Sequence, residues 1–107
     1  MGEWFLYHSP EQEEKALIKM YTILNLLYIS DCKSKLVAAT LKQIHEALGE
    51  AGEKMSEKTV YLNIRKLSAS GYIAEGLFHG NAKSYYITAL GIEWMNDVEG
   101  ESDNEQK

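Results

Sequence analysis

Apolar residues recur at helical spacing along the first third of the chain. Leu17, Met20, Tyr21, Leu24, Leu27 and Tyr28 fall on one stripe, which predicts a helix from about Pro10 to Ile29. Ser9-Pro10-Glu11-Gln12 marks its start: Ser9 can cap, Pro10 suits the first helical position and Gln12 can close a capping box. The other side of this helix is apolar too. Ile18, Leu26 and Ile29 lie roughly 100–180° from the centre of the first stripe. A helix that is apolar nearly all round is buried on two sides, and in so short a chain the second side is expected to meet another subunit.

Ser30 to Lys35 is polar and reads as a loop, and Leu36-Val37-Ala38 reads as a very short strand. Thr40-Leu41-Lys42-Gln43 is a second capping box. It opens a helix with Leu41, Ile44 and Leu48 on its buried side, ending near Gly49. Glu50 to Met55 forms a turn. Ser56 then caps a third helix that carries Val60, Ile64 and Leu67 on one face, with Gly71 just past its end. The period next changes to that of strands: Tyr72 to Phe78 and Lys83 to Thr88 flank the tight connection His79-Gly80-Asn81-Ala82. Thr88 can cap a last helix running to about Val98, with Ile92 and Met95 on one side.

Composition bounds this picture to one domain. The chain has 107 residues, 45% of them hydrophobic, with a single cysteine, Cys32. Two cores would each be too small to hold, and one cysteine excludes an intrachain disulfide framework. Residues 1–98 are expected to form the domain and the acidic residues 99–107 a disordered tail. The longest apolar stretch, Ile23 to Ile29, is too short to span a bilayer, and MGEWFLYHSP lacks the order of a signal peptide. The expectation is a soluble, cytoplasmic protein.

The formal net charge of −5 argues at first against nucleic acid, but the distribution is uneven. Residues 1–32 carry two Lys against five acids, and residues 84–107 one Lys against six. Residues 33–83 hold eight Lys or Arg against five acids, a local +3. A basic middle between acidic flanks fits a positive face on an acidic protein, or a solvated surface with charges clustered by chance.

The order helix, short strand, helix, turn, helix, hairpin, helix is that of a winged helix-turn-helix. The segment TVYLNIRKLSASGYI at 59–73, with the hairpin after it and YYITALG at 85–91, resembles the PadR-like transcriptional regulators. The resemblance covers roughly residues 17–98. It implies an α+β, mainly helical fold: a winged helix with a two- to three-stranded antiparallel wing sheet and flanking terminal helices. It also implies a homodimeric, sequence-specific regulator of transcription, in particular a repressor, with double-stranded DNA as partner.

The residues support this independently. At 100° per residue, Val60, Ile64 and Leu67 define the core side of the third helix, and Lys58, Leu62 and Arg65 lie almost opposite. Thr59 and Lys66 flank that face on one side and Tyr61 on the other. A helix seated in a major groove presents such a face to base edges and phosphates. With His79, Asn81 and Lys83 of the wing, these residues form the candidate DNA-binding set. Leu62 departs from the PadR-like pattern, which carries a basic residue there. An exposed Leu suits a thymine methyl, or a protein partner if the domain is an interaction module that does not bind DNA.

Other chemistry is sparse. His8, His45 and His79 lie far apart without metal-ligand spacing, and Cys32 has no partner cysteine. Neither a Gly-rich phosphate loop nor G-x-S-x-G occurs. The sequence therefore reads as no enzyme, with no metal and no cofactor. Trp4, Phe5, Ile18, Leu26, Ile29, Trp94 and Met95 are the candidates for the dimer interface. Among them the aromatic pair Trp4 and Phe5, with Trp94 and Met95, could instead line a small-molecule pocket between subunits.

Overall fold

The computed structural model describes the backbone of residues 10–105 and the side chains of residues 14–100. Trp4, Phe5 and the Ser9–Gln12 capping box lie outside the described side chains. The elements run α1 (Pro10–Ile29), β1 (Ala39–Thr40), α2 (Leu41–Glu50), α3 (Glu57–Ala69), β2 (Ile73–Glu75), β3 (Ser84–Ile87) and α4 (Ala89–Glu105). The strands form one antiparallel sheet in the order β1-β3-β2, with Ala39 opposite Tyr85 and Ala74 opposite Tyr86. This is an α+β winged helix.

Local hydrogen bonds set most of the boundaries. Thr40 Oγ1 accepts from the Gln43 amide while the Thr40 amide donates to the Gln43 side chain, closing the capping box of α2. Ser56 Oγ accepts from the Thr59 amide at 3.1 Å and starts α3. The Gly91 amide donates to Thr88 Oγ1 at 3.1 Å, and the same hydroxyl donates to the Gly71 carbonyl at 2.6 Å. One side chain thus starts α4 and ties it to the end of α3.

The core draws on every layer. Ile23, Leu24 and Leu27 of α1 meet Ile44 and Leu48 of α2, Val60, Ile64 and Leu67 of α3, and Ile73 and Ile87 of the sheet. Each such buried aliphatic chain contributes about 1.5–3 kcal/mol of transfer free energy. Gly91 permits the closest approach: a Cβ there would collide with the Tyr72 carbonyl and sit 2.9 Å from Ile87 Cγ1. Only a residue without a side chain lets the first turn of α4 rest on that strand end.

Several expectations need correction. The buried stripe of α1 is rotated toward Ile23, leaving Leu17 and Tyr28 exposed. The short strand is Ala39–Thr40, not Leu36-Val37-Ala38. Ser34 accepts from the Val37 amide and holds that stretch in a turn, with Leu36 and Val37 facing solvent. The last helix continues past Val98 to Glu105. Met95, expected at a subunit interface, is 5% exposed and belongs to the chain's own core. Trp94 is half-buried and stacks on Tyr72, with ring centroids 5.3 Å apart.

Candidate nucleic-acid interface

Helix α3 buries Val60, Ile64 and Leu67 and turns Lys58, Tyr61, Leu62, Arg65 and Lys66 outward, with Thr59 half-buried at the edge. Lys58 and Arg65 are seven residues apart and so align on one ridge, with Leu62 beside them, 46% exposed. The Arg65 guanidinium lies 5.9 Å from the Tyr61 ring centroid, which lays it along the helix surface.

Concave surfaces flank this ridge on both sides. On the wing side, a groove of about 550 Å³ runs between α3, the first turn of α2 and the hairpin, lined by Lys42, Gln43, Glu57, Tyr61, His79, Ala82, Lys83 and Tyr85. On the other side, a pocket of about 320 Å³ lies between α3 and α1, lined by Lys15, Ala16, Lys19, Thr59, Leu62, Asn63 and Lys66. The residues that α3 gives to the two surfaces lie roughly opposite each other around the helix.

The wing is a tight hairpin. The His79 amide donates to the Ala82 carbonyl at 2.9 Å and the Ala82 amide returns a bond at 3.1 Å. Gly80 sits at φ 66° in the first central position, the pattern of a type II′ turn. His79, Asn81 and Lys83 are all exposed there. Lys83 is not wholly free, because its Nζ lies 3.5 Å from a Glu75 carboxylate oxygen. Burial pushes the Tyr85 hydroxyl above the ordinary phenol range, opposed by the charge of Lys83, and Tyr85 is part of the groove lining.

All nine sequence-nominated residues, from Lys58 to Lys83, therefore fall on α3 or the wing. Sequence reasoning missed Lys42, Lys15, Lys19 and Asn63. Lys42 had a local signal, since it follows the Thr40 cap and so sits in the first turn of α2, which packs beside α3. Lys15 and Lys19 had none, because they lie in the acidic first segment.

A three-stranded winged helix whose third helix turns cationic side chains outward is the architecture of the winged helix-turn-helix class. The chain is 31% identical over 78 residues to the DNA-binding protein TubR of a Clostridium botulinum C phage, a span of 73% of this chain and 90% of that relative. The chain belongs to the family of this DNA-binding protein. No family model matches the chain, one for PadR-like regulators included. Among solved structures, the ferric uptake regulator of Vibrio cholerae superposes with a TM-score of 0.54 at 19% identity, over 64% of this chain. The chain spans about half the length of that regulator (49%), and the likeness is one of fold. Neither name is that of an enzyme. Among the described residues, no helix is long and apolar enough to cross a membrane.

Proposed function

We propose that this chain is a site-specific, duplex-DNA-binding transcriptional regulator that works in the cytoplasm as a homodimer. The observation that carries this reading is the ridge of Lys58, Leu62 and Arg65 on α3, standing between the wing-side groove with Lys42 and Lys83 and the α1-side pocket. A major groove about 12 Å wide accepts one helix and places a sugar-phosphate backbone along each of its sides. In this arrangement Arg65 has the length and fork geometry for a guanine edge. Leu62 meets a thymine methyl, Thr59 and Tyr61 offer hydroxyls, and Lys58 and Lys66 neutralise phosphate. The wing lays His79, Asn81 and Lys83 on the neighbouring backbone or minor groove. The name of the phage relative and the PadR-like stretch at 59–91 support the same reading.

The second copy packs on α1. Ile18 and Ile29 are 58% and 69% exposed, with Leu17 and Tyr28 also open, while Leu26 is half-buried at the edge. Exposed apolar side chains near the middle and at the end of one helix suit a partner surface. A two-fold dimer presents two α3 helices about 34 Å apart to successive major grooves, and occupancy of the operator represses by excluding polymerase.

Fluorescence anisotropy on labelled duplexes tests the reading: binding to promoter DNA of its own operon should exceed binding to random duplex. Absence of binding to either at about 50 mM salt overturns it. Leu62, open at the centre of α3, would then mark a protein-interaction surface instead.

A further inference from the structure

Resting on the DNA-binding reading, we propose that the pocket between α1 and α3 is a phosphate subsite that grips the backbone strand opposite the wing. Lys15 and Lys19 would hold the phosphate, and Asn63 would position their ammonium groups. The pocket gathers Lys15, Lys19 and Lys66, and no carboxylate is among its described lining residues. The wing-side groove, by contrast, sets Glu57 against Lys42 and Lys83. The ion pairs among the described residues, Lys33 with Asp31 and Lys83 with Glu75, use none of the three pocket lysines. Like charges gathered in one concavity repel, and an anion bound among them removes that repulsion.

Asn63 supplies the second observation. Its side chain is buried, 5% exposed, and its Nδ2 donates to the Thr59 carbonyl at 2.9 Å. That bond fixes which end of the amide is the oxygen. Asn63 Oδ1 is enclosed and has no hydrogen-bond partner. Buried acceptors are almost always paired, so an unpaired one on a residue of a pocket lined by three lysines calls for a donor. A lysine ammonium carries three N–H donors, enough to serve Oδ1 and a phosphate oxygen together. Being neutral, the amide orients a lysine without cancelling its charge, as a carboxylate there would.

The placement matches the duplex. With α3 in the major groove, the wing-side groove faces one backbone and the α1-side pocket faces the other. The first helix thereby becomes part of the DNA contact, and the acidic N-terminal segment contributes both of its lysines to it.

The test uses the full chain and a short random-sequence duplex, with affinity measured from about 50 to 200 mM salt. Lys15→Ala/Lys19→Ala is expected to weaken binding and flatten the slope of log affinity against log salt by about two units per subunit. Lys35→Ala, which removes a charge outside both grooves, should leave the slope unchanged. Asn63→Asp gives up the Nδ2 bond to the Thr59 carbonyl and buries a carboxylate at the wall of the lysine-lined pocket, so it should lower the melting temperature while weakening DNA binding and flattening the slope. A purely structural Asn63 would show no change in slope. If wild-type protein binds duplex and the double variant keeps its slope, the subsite is wrong and the DNA reading stands. If wild-type protein does not bind duplex at all, both fall.

Discussion

The Lys83 ammonium lies 3.5 Å from the Glu75 carboxylate across the wing, so the lysine proposed to reach phosphate is already partnered in the free domain. Both side chains are more than half exposed, and an exposed pair of this kind is worth only about 0–1 kcal/mol. A phosphate can therefore displace Glu75, but against a small opposing term. Glu75→Gln is expected to tighten duplex binding by about two- to fivefold. Unchanged or weaker binding in an anisotropy titration would show that Lys83 does not reach phosphate.

Arg65 and Lys83 should fail differently. Arg65→Ala is expected to relax discrimination between the specific site and random duplex, at about 1–3 kcal/mol on the specific site. Lys83→Ala should weaken both duplexes alike and flatten the salt slope by about one unit per subunit. Competition titrations with the two duplexes separate these outcomes.

Helix α3 separates a buried core face from the exposed face proposed to bind. Leu67→Ala removes a fully buried side chain and should cost about 2–5 kcal/mol in urea unfolding. Lys66→Ala, on the outer face, should change stability by less than about 0.5 kcal/mol. Gly91→Ala forces a methyl onto the Tyr72 carbonyl and should cost about 1–3 kcal/mol, seen as a lower melting temperature.

Dimerisation is tested at Ile18. Ile18→Glu replaces an exposed apolar side chain on α1, so in an isolated subunit it should fold normally. In a dimer built on that face it buries an unpaired charge. Sedimentation should then show wild type as a dimer and the variant as a 12.1 kDa monomer. A monomeric wild type at micromolar concentration would overturn the dimer.

Burial raises the Cys32 thiol above its ordinary range, with Asp31 adding to the effect. The unfolded thiol ionises near pH 8.5. The folded state holds the proton more tightly, so this contribution is complete below the unfolded value and declines as pH rises above it. Cys32→Val should lose less stability than wild type between roughly pH 8 and pH 10 in thermal melts. Parallel curves would show the thiol to be uninvolved.

Much of the fold is legible because its signals are short-range. A capping side chain reaches a backbone N–H three residues on, so Thr40, Ser56 and Thr88 announce α2, α3 and α4. Gly80-Asn81 marks the turn by backbone freedom alone. The single misplaced strand follows from competition: Thr40 both pairs with Ser84 and caps α2, which draws the strand toward the helix.

By itself, then, the sequence determined the order of elements, the faces of α3 and the hairpin with its polar tip, because hydrogen bonding and helical periodicity act over a few residues. Tertiary packing alone decided which charges share a surface. Lys15 and Lys19 stand in a segment with more acids than bases, and they meet Lys66 and Asn63 only because α1 packs beside α3. Packing likewise folded Met95 into the chain's own core and turned Leu17 outward. Electrostatic fields and burial depend on distance through space, and that distance is set by how the core closes.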